Sequence, residues 1–249
     1  MGLFDKKFCD ICGQKIGVFG NRKLTDGNLC KDCAAKLSPF FSERRASSVA
    51  EIREQLSYRE ANREEVARFH ATRSLGRNTK VLLDEDARRF VVTSARDLEQ
   101  ANPDVLDYSQ VTGVELDINE NKNELKVKNA QGQMVSYVPP RYDYSYDFNV
   151  VIRVNHQYFD TIRFRLNSSS VKTPRMVSPT IVGAMPQEYR EYYEIGKEIE
   201  QTLTSARQEI RDEVRAAAAP KQAVKCPHCG ATSVPDANGC CEYCGGALF

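Results

Sequence analysis

The chain has no cysteine between Cys33 and Cys226, only three histidines, and a net charge of +1 over 249 residues. Each scarcity excludes something. Near-neutrality removes any global field that would seek a polyanion, so nucleic-acid or phospholipid binding has to come from a local patch. His70, His156 and His228 stand beside no nucleophile in the sequence, and no G-x-S-x-G occurs. Gly13, Gly17 and Gly20 are wrongly spaced for a phosphate cradle. No run of 18 apolar residues is present, so no membrane span is expected. The opening MGLFDKKFCDICG has no apolar h-region, so a secretory signal is not expected either, and a cytoplasmic, reducing compartment is. An enzyme is the class least supported, and no catalytic residue is expected.

What is present is a hydrophobic fraction of 41% and a charged fraction of 28%, the balance of a soluble globular protein. Eight of the nine cysteines form four C-x-x-C knuckles at the two ends: Cys9/Cys12 with Cys30/Cys33, and Cys226/Cys229 with Cys241/Cys244. Each end thus supplies the four thiolates of a closed tetrahedral structural zinc site. Two zinc ions per chain are expected, bound for folding rather than chemistry, since modules this small cannot bury a sufficient core alone. Disulfides or a redox C-x-x-C are the alternative, and reducing conditions disfavour them. Gly13 after Cys12, Gly230 after Cys229 and Gly245 after Cys244 permit positive φ beside the sulfurs. Cys240 competes with Cys241, and the two-residue spacing to Cys244 favours Cys241. His228, inside a knuckle, is read as a non-ligand.

Between the knuckles of the first module, KIGVFGNRKLTDGNLC reads as a short hairpin with turns at Gly20-Asn21 and Asp26-Gly27-Asn28. Ser48-x-x-Glu51 is a capping box that opens a helix to about Thr72. Its apolar stripes are Val49/Ile52/Leu56 and Val66/Phe69, and the polar SYREANREE between them predicts a partly exposed spacer. His70 is read as a surface or edge residue. From Lys80 the hydrophobic period becomes two, giving about seven antiparallel strands in a sandwich or incomplete barrel. Strands are expected near 80–84, 88–94, 111–118, ELKVKN, 133–138, FNVVIRVNH and YFDTIRFRLNS. Asp84-Glu85-Asp86 is read as a solvated turn rather than a cation site. Pro186 starts a long helix with Tyr192, Ile195, Ile199, Leu203, Ala206, Ile210 and Val214 on one stripe. Its first half is expected to cap the strands, and its second half to outreach them. The predicted divisions are 1–40, an N-terminal zinc ribbon; 41–76, a helical spacer; 77–218, a β domain with its C-terminal helix; and 219–249, a second zinc ribbon.

Seven antiparallel strands followed by a helix resemble the pleckstrin-homology-like (PH-like) superfold, and DVLDYSQVTGVELD resembles bacterial PH-like and GRAM-like domains. FCDICGQKIGVFGNRKLTDGNLCKDCAAKLSPFF resembles an uncharacterised bacterial, Firmicutes-type family with an N-terminal four-cysteine zinc ribbon. It matches at Cys9, Cys12, Gly13, Cys30 and Cys33 over about a fifth of the chain. CPHCG and CEYCGG resemble a zinc ribbon of the rubredoxin-knuckle type. These resemblances imply an α+β fold and bound metal, and they specify no particular activity, since fold alone does not imply function.

The expected function is zinc-stabilised, non-catalytic binding of a protein partner or a second copy. Tyr137, Tyr142, Tyr144 and Tyr146, within segment 137–148, are candidate recognition residues; an ordinary hairpin with one packed aromatic face is the plainer reading. Arg163, Arg165, Lys172 and Arg175 are read as a solvated strand face rather than a headgroup-binding edge. One alternative function is nucleic-acid or ribosome association through Lys15, Arg22, Lys23 and Lys31, opposed by Asp10, Asp26 and Asp32. The other is lipid binding at a membrane surface by the PH-like domain. No small-molecule substrate is expected.

Overall fold

In a computed structural model of the chain, which describes residues 7–173, 185–218, 223–236 and 238–248, the cysteine pairs organise the N-terminal residues. β1 (Lys7–Phe8) pairs with β2 (Lys15–Ile16) around the first knuckle, and β3 (Arg22–Lys23) pairs with β4 (Asn28–Leu29). The hairpin expected over this stretch is therefore two short ones. Asp26-Gly27 turns the second, and Gly20-Asn21 only connects them. The second cysteine pair opens helix α1 (Lys31–Ala35), with Cys30 as its N-cap.

Helix α2 (Val49–Arg68) begins where the capping box places it, and both reciprocal bonds between Ser48 and Glu51 are made. It stops short of Thr72. Ile52 packs into the ribbon core with Leu24, Leu29 and Leu37, so the ribbon includes the start of this helix. The helix is partly exposed, but its polar residues are not all on the solvent side: Gln55, Arg59 and Asn62 are buried. They lie at helical spacing on the same face as Ile52 and Val66, so the buried stripe is continuous but polar at its centre.

Between α2 and residue 173 the strands form two open, four-stranded antiparallel sheets, and among the described residues neither closes into a barrel. In the first, β5 (Arg73–Gly76), β6 (Lys80–Asp84), β7 (Arg89–Thr93) and β8 (Leu106–Asp107) neighbour one another in order, with the short helix α3 (Leu98–Ala101) before β8. The β6–β7 hairpin is where the alternation placed it. Its acidic turn is not simply solvated. Asp84 is buried, accepting the His70 amide at 2.9 Å and the Ala87 amide at 3.0 Å.

In the second sheet, β9 (Val111–Lys128) and β10 (Met134–Val154) replace four shorter strands expected from the sequence. β11 (Thr161–Arg165) and β12 (Val171–Thr173) both pair with β10. The register slips between Ser136 and Arg141, where Pro139 and Pro140 offer no amide to the ladder.

Helix α4 (Gln187–Ala218) lies across both sheets with its first half. Tyr189 and Tyr192 pack on Phe148 of β10. Glu191 and Glu198 meet Arg77 and Arg73, beside and within β5, at 2.5 and 2.7 Å. Ile199 and Leu203 are fully buried, whereas Val214, further along the stripe, is 64% exposed. By compactness the chain divides at Arg207. The second unit carries the end of α4, then β13 (Val224–Lys225) paired with β14 (Thr232–Ser233) around a knuckle. Its core is small: Cys226, Cys241 and Leu248, with Val224 against them. The linker expected at 216–222 falls largely outside the described residues.

Candidate metal centres and an aromatic cleft

Three of the four knuckles use one backbone device. Cys9 N donates to Gln14 O and Gly13 N to Cys9 O, at 2.9 and 2.8 Å. The same two bonds recur at Cys226, to Ala231 and from Gly230, and at Cys241, to Gly246 and from Gly245. Gly13, Gly230 and Gly245 close these turns at φ of 72, 74 and 70°, the left-handed region open to glycine. The fourth knuckle has Ala34 after Cys33 and forms a helix start, where the Cys33 amide donates to Cys30 Sγ at 3.3 Å.

The turns bring the sulfurs together in two groups, Cys9, Cys12, Cys30, Cys33 and Cys226, Cys229, Cys241, Cys244, each with all ligand atoms within 4.8 Å. Cys12 and Cys30 sulfurs are 3.8 Å apart, Cys226 and Cys244 3.6 Å, and Cys229 and Cys241 3.7 Å. These are far longer than a disulfide bond. They match the roughly 3.8 Å edge of a tetrahedron with metal–sulfur bonds of about 2.3 Å. Cys240 lies outside the second group, its thiol directed at the Asn238 carbonyl. His228 is outside it too: its amide donates to Cys226 Sγ at 3.4 Å, and its ring lies against Gly246.

The thiols differ in acidity within each group. Burial raises Cys9, but the amides of Cys12, Cys30 and Ile11 outweigh it and bring the thiol to about 6. Cys241 reaches about 6 in the same way, through the amides of Cys244 and Tyr243. Cys33 is pushed up by burial and then by the neighbouring thiols. Cys244 rises to about 12: the Gly246 amide lowers it, but Cys229 and Cys226 together prevail. Cys226 is lowered as Cys241 is, against its burial, by the amides of Cys229 and His228, so each group holds at least one thiol that backbone amides favour as thiolate. The two groups are suited to holding a dication.

Around Asp104, the first ribbon, α2 and the first sheet are joined. Asp104 Oδ2 accepts from Ser38 Oγ at 2.7 Å, and Oδ1 accepts from Arg59 at 2.7 Å and from the Tyr58 hydroxyl at 3.1 Å. Arg59 also donates to the carbonyls of Lys36 and Asn102. Asn62 donates to Asn102 Oδ1 at 2.7 Å and Asn102 donates to the Arg59 carbonyl at 2.8 Å, Asn102 being held in the left-handed conformation at φ 48°.

Beside this network is a cleft of about 550 Å³, walled by Phe40, Phe41, His156, Tyr158 and Phe159. Glu43, Glu51, Glu54 and Asp160 stand on its rim, and no lysine or arginine lines it. His156 stacks on Phe159 at 4.1 Å between ring centres and meets Tyr58 edge-on at 5.2 Å. Burial pulls its pKa below the ordinary value, with Asp104 acting in the other direction. Sequence reasoning missed this cleft. Its walls come from the ribbon exit at 40–43, α2 and the β10–β11 turn, which are far apart in sequence, and nothing local in any of them signals the other two.

The tyrosines singled out in the sequence lie along β10. Tyr146 is buried, its hydroxyl on Glu120 at 2.9 Å and its ring against Tyr189. Tyr142 and Tyr144 are half-buried beneath the Lys122 ammonium, and Tyr137 beneath Arg141. Arg163 pairs with Asp117 and Arg165 with Asp147, so this strand face is largely neutralised; Arg175 lies outside the described residues.

Residues 7–55 match a family model described as a domain of unknown function (DUF4428). No curated protein and no solved structure matches the chain.

Proposed function

We propose that this is a non-catalytic, zinc-held interaction protein. Zinc at Cys9, Cys12, Cys30 and Cys33, and at Cys226, Cys229, Cys241 and Cys244, stabilises two ribbons, and a surface between them recruits a protein partner. The observation that carries the reading is that each group offers four protein sulfurs at tetrahedral spacing. A site so filled leaves no position for water or substrate. The two sheets followed by α4 are read as a PH-like core, supported by the order of sequential antiparallel strands and then a helix. The aromatic cleft is the surface assigned to the partner: its carboxylate rim and ring walls suit lysine or arginine side chains.

Elemental analysis of the purified chain tests the metal assignment, with two zinc per chain expected. Cobalt substitution should give thiolate-rich tetrahedral spectra at both sites. One metal, iron, or a water-coordinated cobalt spectrum overturns it. A partner captured from the native organism by the wild-type chain but not by an E54K/D160K variant supports the cleft assignment. Equal capture by both removes it.

A further inference from the structure

The loop joining β2 to β3 carries two adjacent apolar side chains, Val18 and Phe19, that are 89% and 93% exposed. A folded domain of this size has no internal reason to present them, and they sit at a convex apex between Gly17 and Gly20. Behind the apex is a hollow of about 640 Å³ lined by Arg22, Lys23, Arg44 and Arg45 and by no carboxylate. The apex and hollow are linked: Arg22 donates to the Phe19 carbonyl at 3.4 Å, and Arg44 to the Lys23 carbonyl at 3.1 Å. These guanidinium groups bond backbone oxygens and form no ion pair among the described residues. The nearby carboxylates Asp10 and Asp26 are held elsewhere, on the amides of Asn28 and Val49. Arg44 has its pKa lowered, first by burial and then by Arg45 and Arg22. Mutual repulsion of this kind marks cations lacking a counter-ion.

An apolar wedge with cations at its base fits a bilayer, where the side chains enter the acyl boundary and the cations meet anionic headgroups. Single-stranded nucleic acid prefers a groove with rings for stacking, whereas this apex is convex and half of it is an aliphatic valine. We propose that the tip of the first ribbon docks on anionic membrane surfaces, with Val18 and Phe19 inserted and Lys23, Arg22, Arg44 and Arg45 holding lipid phosphates.

This rests on the first ribbon being folded around its metal, so zinc content is measured on every variant and the two readings can fail separately. The test is flotation of the full zinc-loaded chain with vesicles of phosphatidylcholine alone or with about 30 mol% phosphatidylserine. Binding is expected only to the anionic vesicles and weakens with salt. At about 1 kcal/mol per cation near the surface, K23Q/R45Q should weaken it on the order of 25-fold. V18S/F19S, which removes side chains that support no core, should weaken it at least about tenfold with zinc unchanged. No flotation overturns the proposal. So does flotation that V18S/F19S leaves intact, or RNA retention that V18S/F19S leaves intact in the absence of vesicle binding.

Discussion

Arg59 donates to Asp104 at 2.7 Å with both side chains buried, and this ion pair fastens the first ribbon to the first sheet. Asp104 takes bonds from the ribbon exit and from α2 together, so it is the shared acceptor of two segments that lie far from it in sequence. Removing it alone strands a buried cation. D104A should cost about 3–5 kcal/mol in denaturant unfolding, and R59M/D104L should cost less than D104A. A loss under about 1 kcal/mol for D104A would show that the pair is solvated.

Gln55 sits one turn before Arg59, fully buried, and neither of its amide atoms has a hydrogen-bond partner among the described residues. An unpaired buried amide is destabilising, whereas an apolar side chain of similar shape is not. Q55M should therefore raise the denaturation midpoint, by about 1–2 kcal/mol of stability. Destabilisation instead would reveal an ordered water or another partner for that amide.

Gly196 in α4 allows the helix to approach β9 closely. A β-carbon there would lie 2.4 Å from Leu116 Cδ1. Alanine is favoured over glycine in a helix by about 1 kcal/mol, but overpacking costs about 1–3 kcal/mol. G196A should destabilise the chain despite its propensity gain. In an L116A background the same change should be neutral or stabilising, and a thermal-melt double-mutant cycle reads the difference.

His156 supplies a pH dependence. Its folded pKa lies below the ordinary value because burial, partly countered by Asp104, disfavours the imidazolium. The unfolded chain then binds the extra proton first as pH falls. The sign follows: stability is full above about pH 6.5 and declines as pH drops toward the folded pKa. H156F keeps a ring on Phe159 and removes the titration. The midpoint difference between variant and wild type, both zinc-loaded, should move in the variant's favour from about pH 7.5 to about pH 5.5. A pH-independent difference would mean that His156 is not held neutral.

The sequence disclosed most where spacing alone carries the chemistry. The four knuckles, the capping box at Ser48 and the β6–β7 hairpin all follow from residues within one turn of each other. It disclosed least where a polar residue is buried by a distant partner. SYREANREE looks like a solvated face because nothing local reports that Asp104, some forty-five residues on, is waiting for Arg59. The long strands β9 and β10 were split for a related reason. Asn119–Asn123 is polar and exposed throughout, so no period-two alternation joins 111–118 to ELKVKN.

The matched family segment ends at residue 55, inside α2, before Arg59 and Asn62. The thiolates and Ile52 lie on one side of that boundary, and the arginine that reaches back to the Lys36 carbonyl lies on the other. The residues that gather the sulfurs and the residues that seat the ribbon are therefore separable along the chain.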